Sequence, residues 1–223
     1  MLVNKDRYSD LLKQLNEYKV QLVAVSKTKS VEAIKELYEL GQRDFGENYV
    51  QELSEKYLHL PQDIQWHFIG HLQTNKVRLI ASFIYLIHGV DSYRLLKEID
   101  KQAGKYNRKI YILLQIHIAK EETKFGLDSK ELNELLDIVQ TNPLNNVIIK
   151  GLMGMASLTG DMELVRQEFR NLRSLFDSIS SHPALSTSFS ILSMGMSNDY
   201  KLALQEKTTM VRIGSLLFGE RNY

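Results

Sequence analysis

Short apolar runs rich in valine and isoleucine alternate along this chain with longer amphipathic stretches. In the longer stretches apolar residues recur three and four positions apart, which is the spacing of a helix with one buried face. The short runs have the length and the β-branched content of buried strands. There are eight such runs, at positions 22–28, 44–48, 64–70, 85–91, 109–118, 146–156, 188–195 and 209–219. The pattern therefore predicts eight strands separated by helices.

The order of these elements predicts an α/β protein. Strand–helix alternation of this kind indicates a parallel sheet with helices outside it, and eight units in 223 residues suit a closed (β/α)8 barrel of the TIM type. The alternative is an open doubly wound sheet, whose nucleotide-binding version has a glycine-rich turn after the first strand. Here that turn reads SKTKS (26–30) and contains no glycine, which favours the barrel.

The chain also predicts a single domain. A further amphipathic helix, roughly 6–18, precedes the first strand, and no linker rich in proline, glycine or serine interrupts the series. We therefore expect one domain over residues 1–223, in which the N-terminal segment 1–20 packs as a helix on the barrel.

The composition narrows the class of protein. The net charge is +1 and no run of lysine and arginine forms a basic stripe, which argues against a nucleic-acid partner. The absence of cysteine excludes disulfides, thiolate metal sites and a cysteine nucleophile. The first ten residues lack the apolar core of a signal peptide, and no apolar run has the length of a membrane span. We expect a cytoplasmic protein with no membrane partner.

Lys27 follows the first apolar run at the end where barrels carry their active sites. With a side-chain period of two, Lys27 shares a face with Val23 and Val25, so it is predicted to point into the barrel mouth. Burial there favours the neutral amine, which is a nucleophile toward aldehydes. The alternative is that Lys27, like its neighbour Lys29, begins the next helix and faces solvent.

The ends of the last two runs predict a phosphate site. Residues 193–199 read SMGMSND and lead into a helix, and residues 212–215 read RIGS. Small residues, hydroxyl groups and backbone N–H groups after strands seven and eight are typical of the phosphate sites of barrels. The alternative is an ordinary helix cap formed by Ser197 or Asn198.

Arg212 and His67 are predicted to be polar residues of the barrel interior. Arg212 is expected on the inner face of the last strand, where a buried guanidinium needs an acceptor. That acceptor is either a core carboxylate, such as Glu47 or Asp91, or the ring nitrogen of a bound pyridine. His67 is expected to be an interior, hydrogen-bonded residue of the third strand; its spacing of four from His71 indicates a metal site only on a helix, so no metal is predicted.

Several long and unusual sequence blocks occur along the chain. They are VAVSKTK (23–29), FGENYVQE (45–52), WHFIGHLQTNK (66–76), HGVDS (88–92), KFGL (124–127), KGLMGMA (150–156), FSILSMGMSNDY (189–200) and VRIGSLLFGER (211–221). These blocks resemble the pyridoxal phosphate homeostasis protein family, and the resemblance extends from the first strand to the C-terminus in the order found in that family.

The resemblance implies a barrel like the N-terminal domain of alanine racemase, without the second, β-rich domain of that enzyme. It implies that Lys27 forms an internal aldimine with pyridoxal 5′-phosphate, and that Arg212 faces the pyridine nitrogen. Asn48 matches a position near the cofactor ring. The positions that match the phosphate site are Ser193, Met196, Ser197, Gly214 and Ser215. The remaining residues expected to line the pocket are His67, Met153 and Met194.

The resemblance also implies a role in vitamin B6 homeostasis, in which the protein keeps the free cofactor low and supplies it to apo-enzymes. No established reaction is expected, because a racemase of this fold takes a second acid or base from another domain. The alternatives are a racemase or other α-carbon enzyme with Lys27 as its only base, which would exchange the Cα hydrogen for deuterium, and a cofactor-free Schiff-base aldolase, which would be colourless. We expect a monomer.

Overall fold

The computed structural model describes residues 2–121, 125–185 and 187–219. Within these ranges each predicted run overlaps one strand. The strands are β1 (Gln21–Val25), β2 (Asp44–Glu47), β3 (Gln65–Phe68), β4 (Leu86–Val90), β5 (Ile110–Ile116), β6 (Val147–Gly154), β7 (Ile191–Ser193) and β8 (Met210–Ile213). They pair in parallel in sequence order, and β8 pairs with β1 to close the barrel. The predicted (β/α)8 barrel is therefore confirmed. The predicted domain ends at residues 1 and 223, and parts of the blocks 124–127 and 211–221, lie outside the described residues.

Helices cover the outside of the barrel. They are α1 (Lys5–Glu17), α2 (Val31–Glu39), α3 (Val50–His59), α4 (Val77–Ile80), α5 (Tyr93–Lys105), α6 (Ser129–Thr141), α7 (Met162–Ile179), α8 (Tyr200–Gln205) and α9 (Ser215–Phe218). Side-chain caps define several of their starts. Ser30 Oγ accepts a hydrogen bond from the Ala33 N–H, and Asp128 forms a reciprocal capping box with Glu131.

Alternate strand residues divide the apolar side chains between two layers. One set, including Ala24 and Phe45, packs against the helices in the large outer core. The other set fills the barrel interior and comprises Val23, Leu86, Leu113, Met153 and Met210. Because these side chains block the middle of the barrel, a ligand can enter only at its ends.

The N-terminal helix α1 is an addition to the eight strand–helix units, and it packs against β1 and α9. Leu11 and Leu15 are buried in the outer core. The Asn4 N–H donates to the Leu217 carbonyl at 2.9 Å, so the start of α1 is fixed to α9. No helix among the described residues has the length and apolarity needed to cross a membrane.

Candidate functional site

A cavity of about 670 Å³ opens at the C-terminal end of the barrel. It lies among the loops that follow β1, β2, β3, β6, β7 and β8, and its size is typical of a small-molecule site. Most of the predicted site residues meet there. The predicted residues that line it are Lys27, Asn48, Met196, Ser197, Arg212, Gly214 and Ser215.

The four other predicted residues lie outside the lining of this cavity. Ser193 is fully buried directly behind Arg212, to which it is hydrogen bonded. Met153 belongs to the apolar cluster inside the barrel, one layer below the cavity. The position of Met194 differs from the prediction: its side chain is in the outer core, on the helix side of the barrel wall. The reason is the strand period of two, since Ser193 faces inward and its neighbour must face outward.

His67 occupies the barrel interior, as expected for a buried residue of β3. Its Nδ1 lies 2.9 Å from His88 Nε2, and its Nε2 lies 2.9 Å from Asp44 Oδ1. The prediction of an interior hydrogen-bonded histidine is confirmed, whereas the prediction that His67 lines the pocket is not supported by its position. In the part of the chain that the structure describes, no cluster of three or more potential metal ligands occurs.

Lys27 lies in a tight turn between β1 and α2. It is half-buried and lines the cavity, whereas α2 begins only at Val31. The alternative in which Lys27 starts a helix and faces solvent is therefore wrong. Lys29, two residues later, also lines the cavity, but its ammonium group donates to the carbonyls of Phe218 and Gly219, at 3.1 and 3.4 Å. The turn thus gives its two lysines different environments.

Thr28 closes this turn in a conformation that is costly for its residue type. Its φ of +64° is in the left-handed region, which β-branched residues rarely adopt. The Thr28 N–H donates to Glu52 Oε1 at 2.6 Å, and the Lys29 N–H donates to the Ser26 carbonyl at 3.0 Å. These two hydrogen bonds hold the backbone on both sides of Lys27.

A buried charged cluster supports the turn from behind. We call Ser26, Glu47, Glu52 and Lys56 the Lys56 cluster. The Lys56 ammonium donates to the Ser26 carbonyl (2.8 Å), Glu47 Oε1 (2.8 Å) and Glu52 Oε1 (2.6 Å). The Ser26 hydroxyl also donates to Glu47 Oε1 at 2.6 Å. The cluster therefore connects α3 and β2 to the residues on either side of Lys27.

Glu47 is the most buried carboxyl group of this cluster. Its burial raises its pKa to about 7, although the positive charge of Lys56 acts in the opposite direction. Glu47 Oε2 is also buried and has no hydrogen-bond partner among the described residues. Only one oxygen of this carboxylate is stabilised by donors, which agrees with the direction of the pKa change.

Arg212 forms part of the cavity wall while its side chain is almost completely buried. Its NH1 group donates to the Ser193 carbonyl (3.0 Å) and to Ser193 Oγ (2.6 Å), and its NH2 group donates to the Gly154 carbonyl (3.1 Å). Neither carboxylate considered from the sequence is its partner, because Glu47 is in the Lys56 cluster and Asp91 lies 4.0 Å from His71. The alternative in which Glu47 or Asp91 is the acceptor is therefore wrong.

The guanidinium of Arg212 remains a cation at neutral pH. Burial lowers its pKa to about 10, and the negative charge of Asp199 partly offsets this effect. The three hydrogen bonds above use three of the five N–H groups of the side chain. An acceptor in the cavity can therefore still bind to Arg212.

The loops after β7 and β8 are connected to each other at the cavity edge. The Met196 N–H donates to Asp199 Oδ1 at 2.6 Å, and the Gly214 N–H donates to Ser197 Oγ at 3.4 Å. Gly195 has a φ of +96°, which bends the chain back after β7. The cap of α8 is Asp199, so the alternative with Ser197 or Asn198 as the cap residue is wrong.

Several residues that line the cavity were not predicted. Met155 follows Met153 on the same face of β6, and Val25 precedes Lys27 on the same face of β1, so the period of two was sufficient to find both. Asp199 was included in the predicted phosphate loop, residues 193–199, but was given no role of its own. Ile69 and the segment 156–158 carry no chemical signal in the sequence, because their contact with the cavity depends on how the loops fold.

Comparison with known proteins identifies the family. The family model described as alanine racemase, N-terminal domain, matches residues 5–222. A pyridoxal phosphate homeostasis protein from Aquifex aeolicus is 43% identical over 204 residues, which are 91% of this chain and 88% of the relative. The protein of the same name from Synechocystis is 40% identical over 219 residues, covering 96% and 97%.

Solved structures give the same result. PipY of Synechococcus elongatus without pyridoxal phosphate has a TM-score of 0.89 and 37% identity, covering 96% of this chain and 99% of PipY. Its form with pyridoxal phosphate bound has a TM-score of 0.87 and 38% identity over the same shares of the two chains. Alanine racemase from Clostridium difficile shares the fold alone, with a TM-score of 0.72 and 16% identity over 99% of this chain and 62% of the racemase. The chain therefore belongs to the pyridoxal phosphate homeostasis protein family, whose barrel is that of the alanine racemase N-terminal domain.

Proposed function

We propose that this protein binds pyridoxal 5′-phosphate in the cavity, holds it covalently on Lys27, and serves in intracellular vitamin B6 homeostasis. The observation that carries the proposal is the convergence of Lys27, Arg212 and the loops after β7 and β8 in one cavity. The names of the relatives and the PipY structure with bound cofactor support it.

The residues present fit the chemistry of this cofactor. Lys27 supplies a primary amine that can condense with the aldehyde and release water. Arg212 supplies unused N–H groups for the pyridine nitrogen, an acceptor without its own proton. Ser197, Ser215 and Gly214 lie together at the cavity edge, where hydroxyl and backbone N–H groups can hold a phosphate. Gly214 also allows β8 and β1 to pack closely at this edge, because a Cβ there would lie 3.1 Å from the Val25 carbonyl oxygen.

When bound, pyridoxal phosphate supplies an aldehyde that traps amines and a ring that withdraws electrons from the carbon attached to the trapped amine. Arg212 limits the second property in this protein. Because the guanidinium is itself a cation at neutral pH, it disfavours a proton on a ring nitrogen beside it. A neutral ring withdraws electrons less strongly, so the site suits retention of the cofactor better than carbanion chemistry.

The cavity lining also favours a carrier over an enzyme. Its residues with titratable side chains, within the described ranges, are Lys27, Lys29, Asp199 and Arg212. Lys29 is bound to the carbonyls of Phe218 and Gly219, and Asp199 accepts the Met196 N–H. A racemase needs an acid and a base on opposite faces of the ring, and Lys27 is the one group in this set placed to serve. We infer that the protein passes the cofactor to apo-enzymes rather than transforming an amino acid.

The absorption spectrum of the purified protein tests the covalent assignment. After addition of pyridoxal phosphate and gel filtration, the wild type should show the visible band of a Schiff base, which borohydride bleaches. Lys27→Ala should lose the band, whereas the matched control Lys29→Ala, altered two residues away, should keep it. A band that survives in Lys27→Ala would refute the assignment. A colourless wild type would refute the binding proposal and favour a cofactor-free aldolase.

Carrier and enzyme are separated by two further measurements on the wild type. As a carrier, it should restore activity to an apo-enzyme dependent on pyridoxal phosphate without exchanging the Cα hydrogen of amino acids for deuterium. Exchange that requires Lys27 would instead establish α-carbon chemistry.

A further inference from the structure

A line of hydrogen bonds passes through the barrel interior from Arg212 toward the opposite end of the barrel. We call Arg212, Ser193, His88, His67 and Asp44 the interior chain. Arg212 NH1 lies 2.6 Å from Ser193 Oγ, and Ser193 Oγ lies 3.4 Å from His88 Nδ1. His88 Nε2 lies 2.9 Å from His67 Nδ1, and His67 Nε2 lies 2.9 Å from Asp44 Oδ1. These residues come from β8, β7, β4, β3 and β2 in turn.

The two ends of the interior chain determine which atom carries each proton. Arg212 can only donate, and the Asp44 carboxylate can only accept, so His67 carries a proton on Nε2. His88 is neutral, because burial, His67 and Arg212 all lower its pKa well below 6.5. The arrangement that uses every group then runs in one direction. Arg212 donates to Ser193, the Ser193 hydroxyl donates to His88 Nδ1, and His88 Nε2–H donates to His67 Nδ1.

The opposite direction satisfies fewer groups. A cationic His67 would donate from both nitrogens, and His88 would then donate from Nδ1 to Ser193 Oγ. That oxygen would accept from both His88 and Arg212, and the Ser193 hydroxyl proton would have no acceptor in the chain. Because buried polar hydrogens without partners are costly, the arrangement in which the Ser193 hydroxyl donates to His88 Nδ1 is favoured.

The interior chain connects the positive charge of Arg212 at the cavity wall with the negative charge of Asp44 at the far end of the barrel. None of the hydrogen bonds of Arg212 described above goes to a carboxylate, and the negative charge of Asp199 acts on the guanidinium from the cavity side. At the far end, Asp44 is held by a hydrogen bond of 2.8 Å from Gln21 Nε2. Aligned hydrogen bonds polarise one another, so the negative charge of Asp44 acts on Arg212 through the chain.

We propose that Ser193, His88, His67 and Asp44 are positioning residues for Arg212, which fix the guanidinium at the cavity wall and offset its charge from the far end of the barrel. The effect on the cofactor rests on the proposed function, because it requires a pyridine nitrogen beside Arg212. The orientation of the chain is a property of the protein itself.

The orientation is tested first, without any cofactor. Nitrogen-15 NMR of the imidazole groups distinguishes protonated from bare ring nitrogens. At neutral pH we expect both His67 and His88 to carry a proton on Nε2 and none on Nδ1. A proton on His88 Nδ1, or a doubly protonated His88, would overturn the proposed direction.

The effect on the cofactor is tested by breaking and then rebuilding the chain at His88. His88→Leu removes both hydrogen bonds, whereas His88→Gln retains one donor and one acceptor. We expect the dissociation constant for pyridoxal phosphate to rise about tenfold in His88→Leu, the upper end of what one lost hydrogen bond typically costs, and to recover largely in His88→Gln. The pH midpoint of the bound chromophore should fall in His88→Leu, because the positive charge of Arg212 is then less offset.

Two further variants separate the proposal from general damage to the barrel. Tyr111→Phe removes a hydroxyl from the same interior without touching the chain, and it should bind and titrate as the wild type does. Asp44→Asn keeps an acceptor but removes the charge. Because the Asp44 side chain is at the accessible end of the interior chain, this variant provides the same test if His88→Leu does not fold. It should lower the pH midpoint in the same direction.

Unchanged midpoints in both His88→Leu and Asp44→Asn, even with a lower melting temperature, would show that the chain is merely structural and overturn the proposal. If the wild type binds no cofactor, the proposed function fails, and NMR still decides whether the chain has the inferred direction.

Discussion

Replacement of Lys56 is the sharpest test of how the turn around Lys27 is stabilised. Lys56→Met keeps the length and the apolar stem of the side chain but removes the ammonium group that donates to Ser26, Glu47 and Glu52. Glu47 is then left fully buried, with the Ser26 hydroxyl as its one hydrogen-bond donor. Removal of one partner from a buried ion pair typically costs about 3–5 kcal/mol of the free energy of unfolding.

The stability lost in Lys56→Met should be larger at pH 8 than at pH 5. The pKa of Glu47 is about 7 in the folded protein and 4.5 without the fold. A raised pKa stabilises the folded state fully below pH ~4.5, and this contribution is lost as the pH rises through ~7. The total is about 3 kcal/mol, at about 1.4 kcal/mol for each pKa unit. At pH 5 Glu47 is protonated and Lys56→Met leaves no buried charge, so the loss should be near 3 kcal/mol at pH 8 and clearly smaller at pH 5.

Urea unfolding of the cofactor-free protein, followed by circular dichroism at both pH values, measures these differences. Glu47→Gln should remove the fall in stability between pH 4.5 and 8, so its unfolding free energy relative to wild type should rise over that range. The double variant Glu47→Gln/Lys56→Met should recover much of the loss at pH 8, because no fully buried charge is left and Glu52, which also loses Lys56, is partly exposed. Glu55→Gln, on the exposed side of the same helix α3, is the matched control. Equal losses for Lys56→Met at pH 5 and pH 8 would refute the reasoning.

Three further changes have expected outcomes that follow from the same structure. Thr28→Gly should raise the free energy of unfolding by as much as about 1 kcal/mol, because glycine adopts a φ of +64° without strain; a loss of stability in urea unfolding would show that the Thr28 side chain makes a compensating contact. Gly214→Ala should lower the free energy of unfolding by about 1–3 kcal/mol, because the added Cβ would lie 3.1–3.2 Å from Val25 atoms, which must shift to make room; because Val25 and Gly214 both line the cavity, an absorbance titration should also show weaker cofactor binding, and unchanged affinity would remove this loop from the binding site. Sedimentation at micromolar concentration should give the 25.8 kDa of a single chain, whereas a species of twice that mass would contradict the predicted monomer.

The fold could be predicted from the sequence because its signals are local. The alternation of apolar runs and amphipathic stretches placed every strand, and the absence of glycine from SKTKS argued correctly against an open nucleotide-binding sheet. The period of two along the first and last runs predicted that Lys27 points into the barrel mouth and that Arg212 lies on the inner face. The same rule, applied strictly to β7, would have placed Met194 in the outer core; extended along β1 and past the end of β6, it would have added Val25 and Met155 to the cavity.

Only the tertiary structure decided which side chains meet. The Lys56 cluster joins the turn after β1 to β2 and α3. The interior chain joins residues from five strands, and its two ends, Asp44 and Arg212, are 168 positions apart in the sequence. The sequence indicates that Arg212 needs an acceptor, but not that Ser193 and Gly154 supply it instead of Glu47 or Asp91. Sequence periodicity determines the face to which a side chain points, because that depends on the local backbone. Which side chains make contact across the interior depends on the register at which neighbouring strands pair around the closed barrel. That register is fixed only when all eight strands close together.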